Sequence, residues 1–150
     1  MRETLFNWLE QDLTGKNCLD LFAGSGALGM EAASRGAAEV VMVERDRAVF
    51  RALQDNVKKL NFHNIALRNE DGLKFASRAT QQFDVIFLDP PFKSDYLEKL
   101  LPLLNTQLKS DGLLYVETGT PFQPGEHWQV YKQGKASAVH YQLLKHAQHD

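Results

Sequence analysis

The chain lacks most of the features that tie a protein to a special environment. It has one cysteine, Cys18, among 150 residues, so no intramolecular disulfide can form and no cysteine-based zinc cluster can be built. No apolar run approaches the roughly 18 residues needed to span a bilayer. The opening Met1-Arg2-Glu3-Thr4 lacks the basic-then-apolar layout of a secretory signal, which leads us to expect a cytoplasmic protein with no membrane partner. Neither sign of charge is in excess: 17 Lys+Arg against 19 Asp+Glu leave a net charge of −2. That balance excludes a protein that coats nucleic acid by bulk charge, so any such partner must be met by a local patch. The histidines at 63, 127, 140, 146 and 149 show no ligand spacing with acidic or cysteine partners, and no metal is expected. No repeat, charge block or low-complexity tract marks a linker, and the length reads as a single domain over residues 1–150.

What is present is alternation. Short apolar runs recur at Cys18–Phe22, Val40–Val43, Ile65–Leu67, Val85–Leu88 and Leu113–Val116, each bounded by polar or Gly/Pro residues as buried strands are. Between them lie helical stripes. Leu5, Trp8 and Leu9 share one face of a first helix that should end before Gly15. Val49, Leu53, Val57 and Leu60 form a second stripe, and Tyr96, Leu97, Leu100, Leu101 and Leu104 a third, read as core. Strand and helix in strict alternation predict right-handed βαβ units and a doubly wound, mainly parallel sheet. After Gly119 the rhythm changes. Trp128–Lys132 and Ala138–Leu144 flank Gly134-Lys135, which predicts a hairpin and an antiparallel pair at one edge.

The first strand runs straight into Gly24-Ser25-Gly26-Ala27-Leu28-Gly29, and a helix follows. In that context the glycines allow a sharp turn and a close approach of ligand to main chain, while the helix start offers unpaired N–H groups. Glu44 ends the next strand, 44 − 24 = 20 residues after the first glycine, where a carboxylate can accept hydrogen bonds from both hydroxyls of a ribose. The pattern points to an adenosine-bearing cofactor. Nicotinamide-type and S-adenosylmethionine-type sites share it, and Asp20 helps to decide between them. A carboxylate beside the loop repels a pyrophosphate but suits the ammonium of a methionine moiety. Beyond the third strand, Asp71 in Asn69-Glu70-Asp71-Gly72 can accept from an adenine amino group, can cap the helix that follows, or can do both.

The fourth strand, Phe83–Leu88, ends in Asp89-Pro90-Pro91-Phe92. Two prolines set the backbone and remove two donors, so carbonyl oxygens can point outward beside the Asp89 carboxylate. Such an acceptor cluster at the carboxyl end of a parallel strand can hold an exocyclic –NH2 by both hydrogens. The lone pair of a base amine is delocalised into its ring; drawing both N–H bonds toward Asp89 and the Pro90 carbonyl favours a pyramidal nitrogen aimed at a methyl group. Phe92 would stack on the base. In this scheme Asp89 is a positioner and final proton acceptor rather than a strong base.

Taken together, Asp20-Leu21-Phe22-Ala23-Gly24-Ser25-Gly26 and Asp89-Pro90-Pro91-Phe92 resemble the first and catalytic motifs of the class I S-adenosylmethionine-dependent methyltransferases that act on amino groups. Arg2-Glu3-Thr4-Leu5-Phe6-Asn7-Trp8-Leu9 before the first strand is similar to the bacterial family that methylates N2 of a guanine in small-subunit ribosomal RNA. The resemblance covers almost the whole chain. It implies a Rossmann-like sheet of about seven strands with the last reversed, and S-adenosylmethionine as cofactor. It also implies a cofactor site at Asp20, Ala23, Gly24, Gly26, Glu44, Arg45, Asp71 and Gly72, and a base site at Asp89, Pro90, Pro91 and Phe92. Arg2, Arg47 and Lys93, near loop edges, are the candidate RNA contacts. The implied partner is small-subunit ribosomal RNA, within an assembled or assembling subunit, met by a monomer. That family usually has a basic stretch before the Arg-Glu-Thr-Leu-Phe segment, which is expected to be missing where the chain begins at Met1-Arg2. Alternatives are an amino methyltransferase acting on DNA adenine or protein glutamine, a nicotinamide-dependent oxidoreductase, and a non-catalytic RNA-binding factor.

Overall fold

The computed structural model describes residues 2–90 and 95–147. One sheet of seven strands organises them, in the order β3-β2-β1-β4-β5-β7-β6. The strands are β1 (Asn17–Asp20), β2 (Glu39–Val43), β3 (Ile65–Arg68), β4 (Phe83–Leu88), β5 (Leu108–Thr118), β6 (Trp128–Ala136) and β7 (Val139–His146). β1 to β5 pair in parallel, while β7 runs antiparallel to both β5 and β6. The doubly wound sheet with a reversed strand is therefore the fold, and the strand order reverses at β1/β4. In open α/β sheets this switch point leaves a crevice at the carboxyl ends of the strands.

Side-chain alternation along each strand explains why both faces must be covered. Cys18, Val40, Met42, Val85, Phe87, Tyr115 and Leu143 belong to one buried cluster. Their neighbours Leu19, Val41, Val43, Ile86, Leu88, Val116 and Leu144 belong to a second on the opposite face. Helices α1 (Arg2–Trp8), α2 (Ala27–Ser34) and α3 (Arg47–Lys59) cover the first face with Leu5, Phe6, Ala32, Leu53 and Val57. Helices α4 (Gly72–Arg78) and α5 (Tyr96–Gln107) cover the second with Phe75, Leu100 and Leu104. Among the described residues, no helix is long and apolar enough to cross a membrane.

Several local expectations need correction. The first strand ends at Asp20 rather than Phe22. The first helix stops before Gly15 as expected, but at Trp8, so Leu9 falls outside it, and Glu10 and Gln11 beyond both take positive φ. The stripe on α3 is buried only at Leu53 and Val57; Val49 and Leu60 are exposed, because Leu60 lies past the last helical turn. The hairpin turn falls at Ser137-Ala138, between the paired Ala136 and Val139, not at Gly134-Lys135. Gly134 sits within β6 opposite Tyr141, where a Cβ would stand 2.6 Å from the ring. Its job is close packing, which in the sequence looks like a turn signal. The pairing of β6 with β7 shifts between Val130 and Lys132, leaving Tyr131 outside the ladder.

Candidate active site

A cavity of about 580 Å³ opens at the carboxyl ends of β1, β2 and β4, lined by Gly24, Glu44, Arg45, Gly72, Asp89 and Pro90 among others. This volume lies within the range of roughly 300–1,000 Å³ that holds a small organic ligand. Of the sequence-predicted cofactor and base residues, Gly24, Glu44, Arg45, Gly72, Asp89 and Pro90 line this one space, although they come from four different turns.

The loop after β1 is built by backbone needs. Gly26 has φ 87 and serves as the N-cap of α2 without a side chain to cap it. Asp20 supplies the missing acceptor from the strand below: its Oδ2 accepts from the Gly29 N–H at 3.2 Å. Ala23 is tied back to β2, its N–H donating to the Val43 carbonyl at 2.9 Å. Asp20 itself is 3% exposed and stands behind the loop, outside the residues that line the cavity. Burial pushes its carboxyl up to about 7, opposed by the Gly29 N–H and reinforced by the charges of Glu44 and Glu117.

Glu44 ties two turns together. Its Oε1 accepts from the Gly24 N–H at 2.9 Å and its Oε2 from the Asp46 N–H at 2.8 Å. Each oxygen keeps a second lone-pair direction, so the pair of ribose contacts expected from the spacing is still open to it. Asp46 and the candidate RNA contact Arg47 take distinct places. Asp46 caps α3 through Val49 and lines the cavity, while Arg47 begins the helix, exposed. Arg45 donates from Nη1 to the Tyr96 hydroxyl oxygen at 3.2 Å. Asp71 caps α4 by accepting from the Lys74 N–H at 3.3 Å and also accepts from the Tyr96 hydroxyl at 3.2 Å. Both of its oxygens are thus engaged at the cavity edge, with Gly72 beside it.

Tyr96 and Asn69 are functional-looking residues that the sequence reading passed over. Tyr96, counted in an apolar stripe, begins α5, lines the cavity and packs on Phe22 with ring centroids 5.6 Å apart. Asn69 donates from Nδ2 to the carbonyls of Glu44 at 2.9 Å and Arg45 at 3.2 Å, joining the turns after β2 and β3. Glu117 is a third omission. It lies near the end of β5, one residue beyond the predicted strand, and its Oε1 accepts from the Tyr115 hydroxyl at 2.6 Å.

Asp89 and Pro90 follow β4 at the cavity wall; Pro91, Phe92 and Lys93 lie outside the described residues. Burial of the carboxyl, then the charge of Glu117, a hydrogen bond with it and the charge of Asp20 push Asp89 up to about 7. The residue is exposed on its solvent side, and the like charges alone carry the same direction. Arg2 begins α1, exposed. The carboxyls of Asp20 and Glu117 therefore stand behind the cavity, and those of Glu44 and Asp89 line it. A cationic ligand with a diol fits this donor set, and a pyrophosphate does not.

Comparison with known proteins agrees with the fold. The family described as Conserved hypothetical protein 95 matches residues 1–145. Ribosomal RNA small subunit methyltransferase D of Escherichia coli K12 is 40% identical over 151 aligned positions, covering 97% of this chain and 76% of its own length. A solved structure from Escherichia coli named as a methyltransferase superimposes with a TM-score of 0.90 at 37% identity, covering 97% of this chain and 83% of that one. The fold is shared more distantly, at a TM-score of 0.76 and 18% identity, with SMU.776, a methyltransferase solved in complex with S-adenosylhomocysteine; the match covers 96% of this chain and 49% of that one.

Proposed function

The chain belongs to the Conserved hypothetical protein 95 family, and from that premise we propose that it methylates the exocyclic N2 amine of a guanine in small-subunit ribosomal RNA. Its cofactor is S-adenosylmethionine, which when bound supplies an electrophilic methyl group on a sulfonium centre. The rest of the work falls to this chain's own side chains and main chain. Glu44, already ordering the glycine loop through the Gly24 N–H, offers its remaining lone pairs to the ribose. Asp71 and Gly72 border the adenine end, with Ala23 and Arg45 completing the surrounding turns. Asp20 braces the loop from behind and adds negative charge that favours the cationic cofactor.

The observation that carries the reading is that Asp89 and Pro90 line the same cavity as Gly24 and Glu44. An amine held by the Asp89 carboxylate and the Pro90 carbonyl is thereby set beside the cofactor space with its lone pair free for in-line attack. Pro91 and Phe92 complete that motif in the chain, Phe92 as the stacking surface for the base. A guanine paired and stacked in a duplex cannot enter such a cavity, so the target must be splayed out of its helix. The relatives' names favour methyl transfer over hydride transfer. We assign Arg2, Arg47 and Lys93 to RNA contact and read residues 1–150 as one catalytic unit, since both apolar clusters share a single sheet. With a net charge of −2 the grip on naked RNA is weak and salt-sensitive, which favours an assembling or assembled subunit as substrate.

The test is transfer of radiolabelled methyl from S-adenosylmethionine to small subunits from cells lacking this protein, followed by nucleoside digestion, with Asp89→Ala in parallel. Label is expected as N2-methylguanosine, reduced by about 10²-fold or more in the variant. Label in another nucleoside, or label indifferent to Asp89→Ala, overturns the assignment.

A further inference from the structure

We propose that Glu117, pinned by the Tyr115 hydroxyl, is a positioning residue: it holds the Asp89 carboxyl toward the acceptor amine and makes Asp89 the resting place of the proton that the amine loses. The inference rests on the proposed amine methylation and adds to it a residue that no motif in the sequence marks.

The geometry begins with the ladder. Leu88 is paired with Val116 between β4 and β5, so the next rung brings Asp89 beside Glu117, at the roughly 4.8 Å spacing of neighbouring strands. Tyr115 lies two residues earlier on the same face, is fully buried, and packs against Phe87 and Tyr141, each with ring centroids 6.5 Å away. Its ring has no freedom to swing, so its hydroxyl is a stationary donor to Glu117 Oε1 at 2.6 Å. Burial, then the hydrogen bond and charge of Glu117, push the ionisation of this phenol upward, which keeps it a donor. Glu117 is left with its other oxygen for Asp89. The charge of Glu117 beside Asp89 adds to burial in raising the Asp89 ionisation, while the Asp89 carboxylate stays open to a proton.

The groups facing Asp89 come from several elements. Asp20 faces it from β1, and Glu117 and Tyr115 face it from β5; Tyr141 stands opposite Glu117 on β7. On the α1 side this face receives the apolar rings of Phe6, beside Phe87, and Trp8, beside Tyr141. None of these neighbours is a cation. In the transfer, the N2 lone pair forms the N–CH3 bond as the C–S bond breaks, and the sulfur leaves as a neutral thioether. The methylated nitrogen then carries one proton too many, which passes to the Asp89 carboxylate and from there to water. Held near 7 by its surroundings, Asp89 retains that proton at neutral pH long enough for product to leave, whereas an ordinary aspartate would not.

The experiment follows the Asp89 carboxyl by ¹³C NMR titration in the intact protein and in Glu117→Gln, with Tyr115→Phe and Glu117→Asp beside them. In Glu117→Gln the Asp89 midpoint is expected to fall by about one unit or more. Tyr115→Phe should move it the same way by less, and Glu117→Asp should restore part of the native value. In the methylation assay the pH midpoint of kcat should shift to lower pH with it, while KM for S-adenosylmethionine stays within about twofold. An Asp89 titration that ignores Glu117, in whichever of these variants folds, overturns the proposal. Loss of all methyl transfer by the native protein would instead strike the proposed reaction, leaving the titration to decide the role of Glu117.

Discussion

Two alanines placed two residues apart in the glycine loop should fail in different ways. Gly26 has φ 87, and a Cβ there would stand 2.4 Å from Leu53 Cδ1 and 2.8 Å from Met30 Cε. Gly24 also has positive φ, 55, but a Cβ there meets nothing within 4 Å. The left-handed conformation costs an L residue about 1–2 kcal/mol at either site. Overpacking adds about 1–3 kcal/mol at Gly26 only, since both contacts are side chains that can yield in part. Gly26→Ala is therefore expected to destabilise by about 2–5 kcal/mol, and Gly24→Ala by about 1–2 kcal/mol. For a chain of this size each kcal/mol lowers Tm by about 2–4 °C. Binding should show the reverse ranking. The methyl of Gly24→Ala enters open space at the wall of the 580 Å³ cavity, where ligand is expected to approach the main chain. A steric penalty of about 1–3 kcal/mol there weakens S-adenosylhomocysteine about 5- to 150-fold. Denaturant unfolding gives the first quantity and titration calorimetry the second. If Gly24→Ala binds S-adenosylhomocysteine as tightly as the native chain, the glycine loop is not the cofactor wall and the reasoning fails.

Asp20 should make stability pH-dependent. Its carboxyl is raised from 3.8 to about 7 by burial, so the folded state binds more protons than the unfolded chain between those values. Stability is then greatest below pH 4 as far as this group is concerned and is lost as pH rises toward 7, by roughly 4 kcal/mol at most. Asp20→Asn, which keeps an acceptor for the Gly29 N–H, should flatten that slope in unfolding curves between pH 5 and 8; an unchanged slope would assign it to other groups. Asp46→Ala removes the cap that accepts from Val49 N–H at 2.9 Å and is expected to cost about 1 kcal/mol, or about 2–4 °C in Tm. A neutral result would mean that the first turn of α3 is held by Glu44 and the sheet alone.

Much of this architecture is legible because the signals are local. Apolar runs of three to five residues, each with opposite-facing neighbours such as Val85 and Ile86, mark strands that need cover on both sides. The spacing from Gly24 to Glu44 is also local in effect, since one βαβ turn places strand ends side by side, and the two residues do meet at 2.9 Å. What escapes is set by register and by packing. Glu117 matters only because Leu88 pairs with Val116, and nothing in the sequence specifies that rung. Tyr96 satisfies a helical stripe as well as any aromatic, and only the approach of α5 to the turns carrying Arg45 and Asp71 gives its hydroxyl partners. Gly134 illustrates the opposite error: a glycine demanded by the Tyr141 ring imitates the turn that lies three residues on.

The two flanks of the sheet have a consequence for how this protein meets other molecules. On one side the outermost strand, β3, offers four residues. On the other, β6 is interrupted at Tyr131, and the exposed Lys132 and Lys135 follow along the same rim. A short strand, a bulge and edge lysines are three of the devices that stop one sheet from templating another. Recruitment by strand addition is therefore disfavoured at both flanks. The turns at the carboxyl ends of the strands are free of that constraint, since loops there can change in sequence without inviting the sheet to grow into an aggregate.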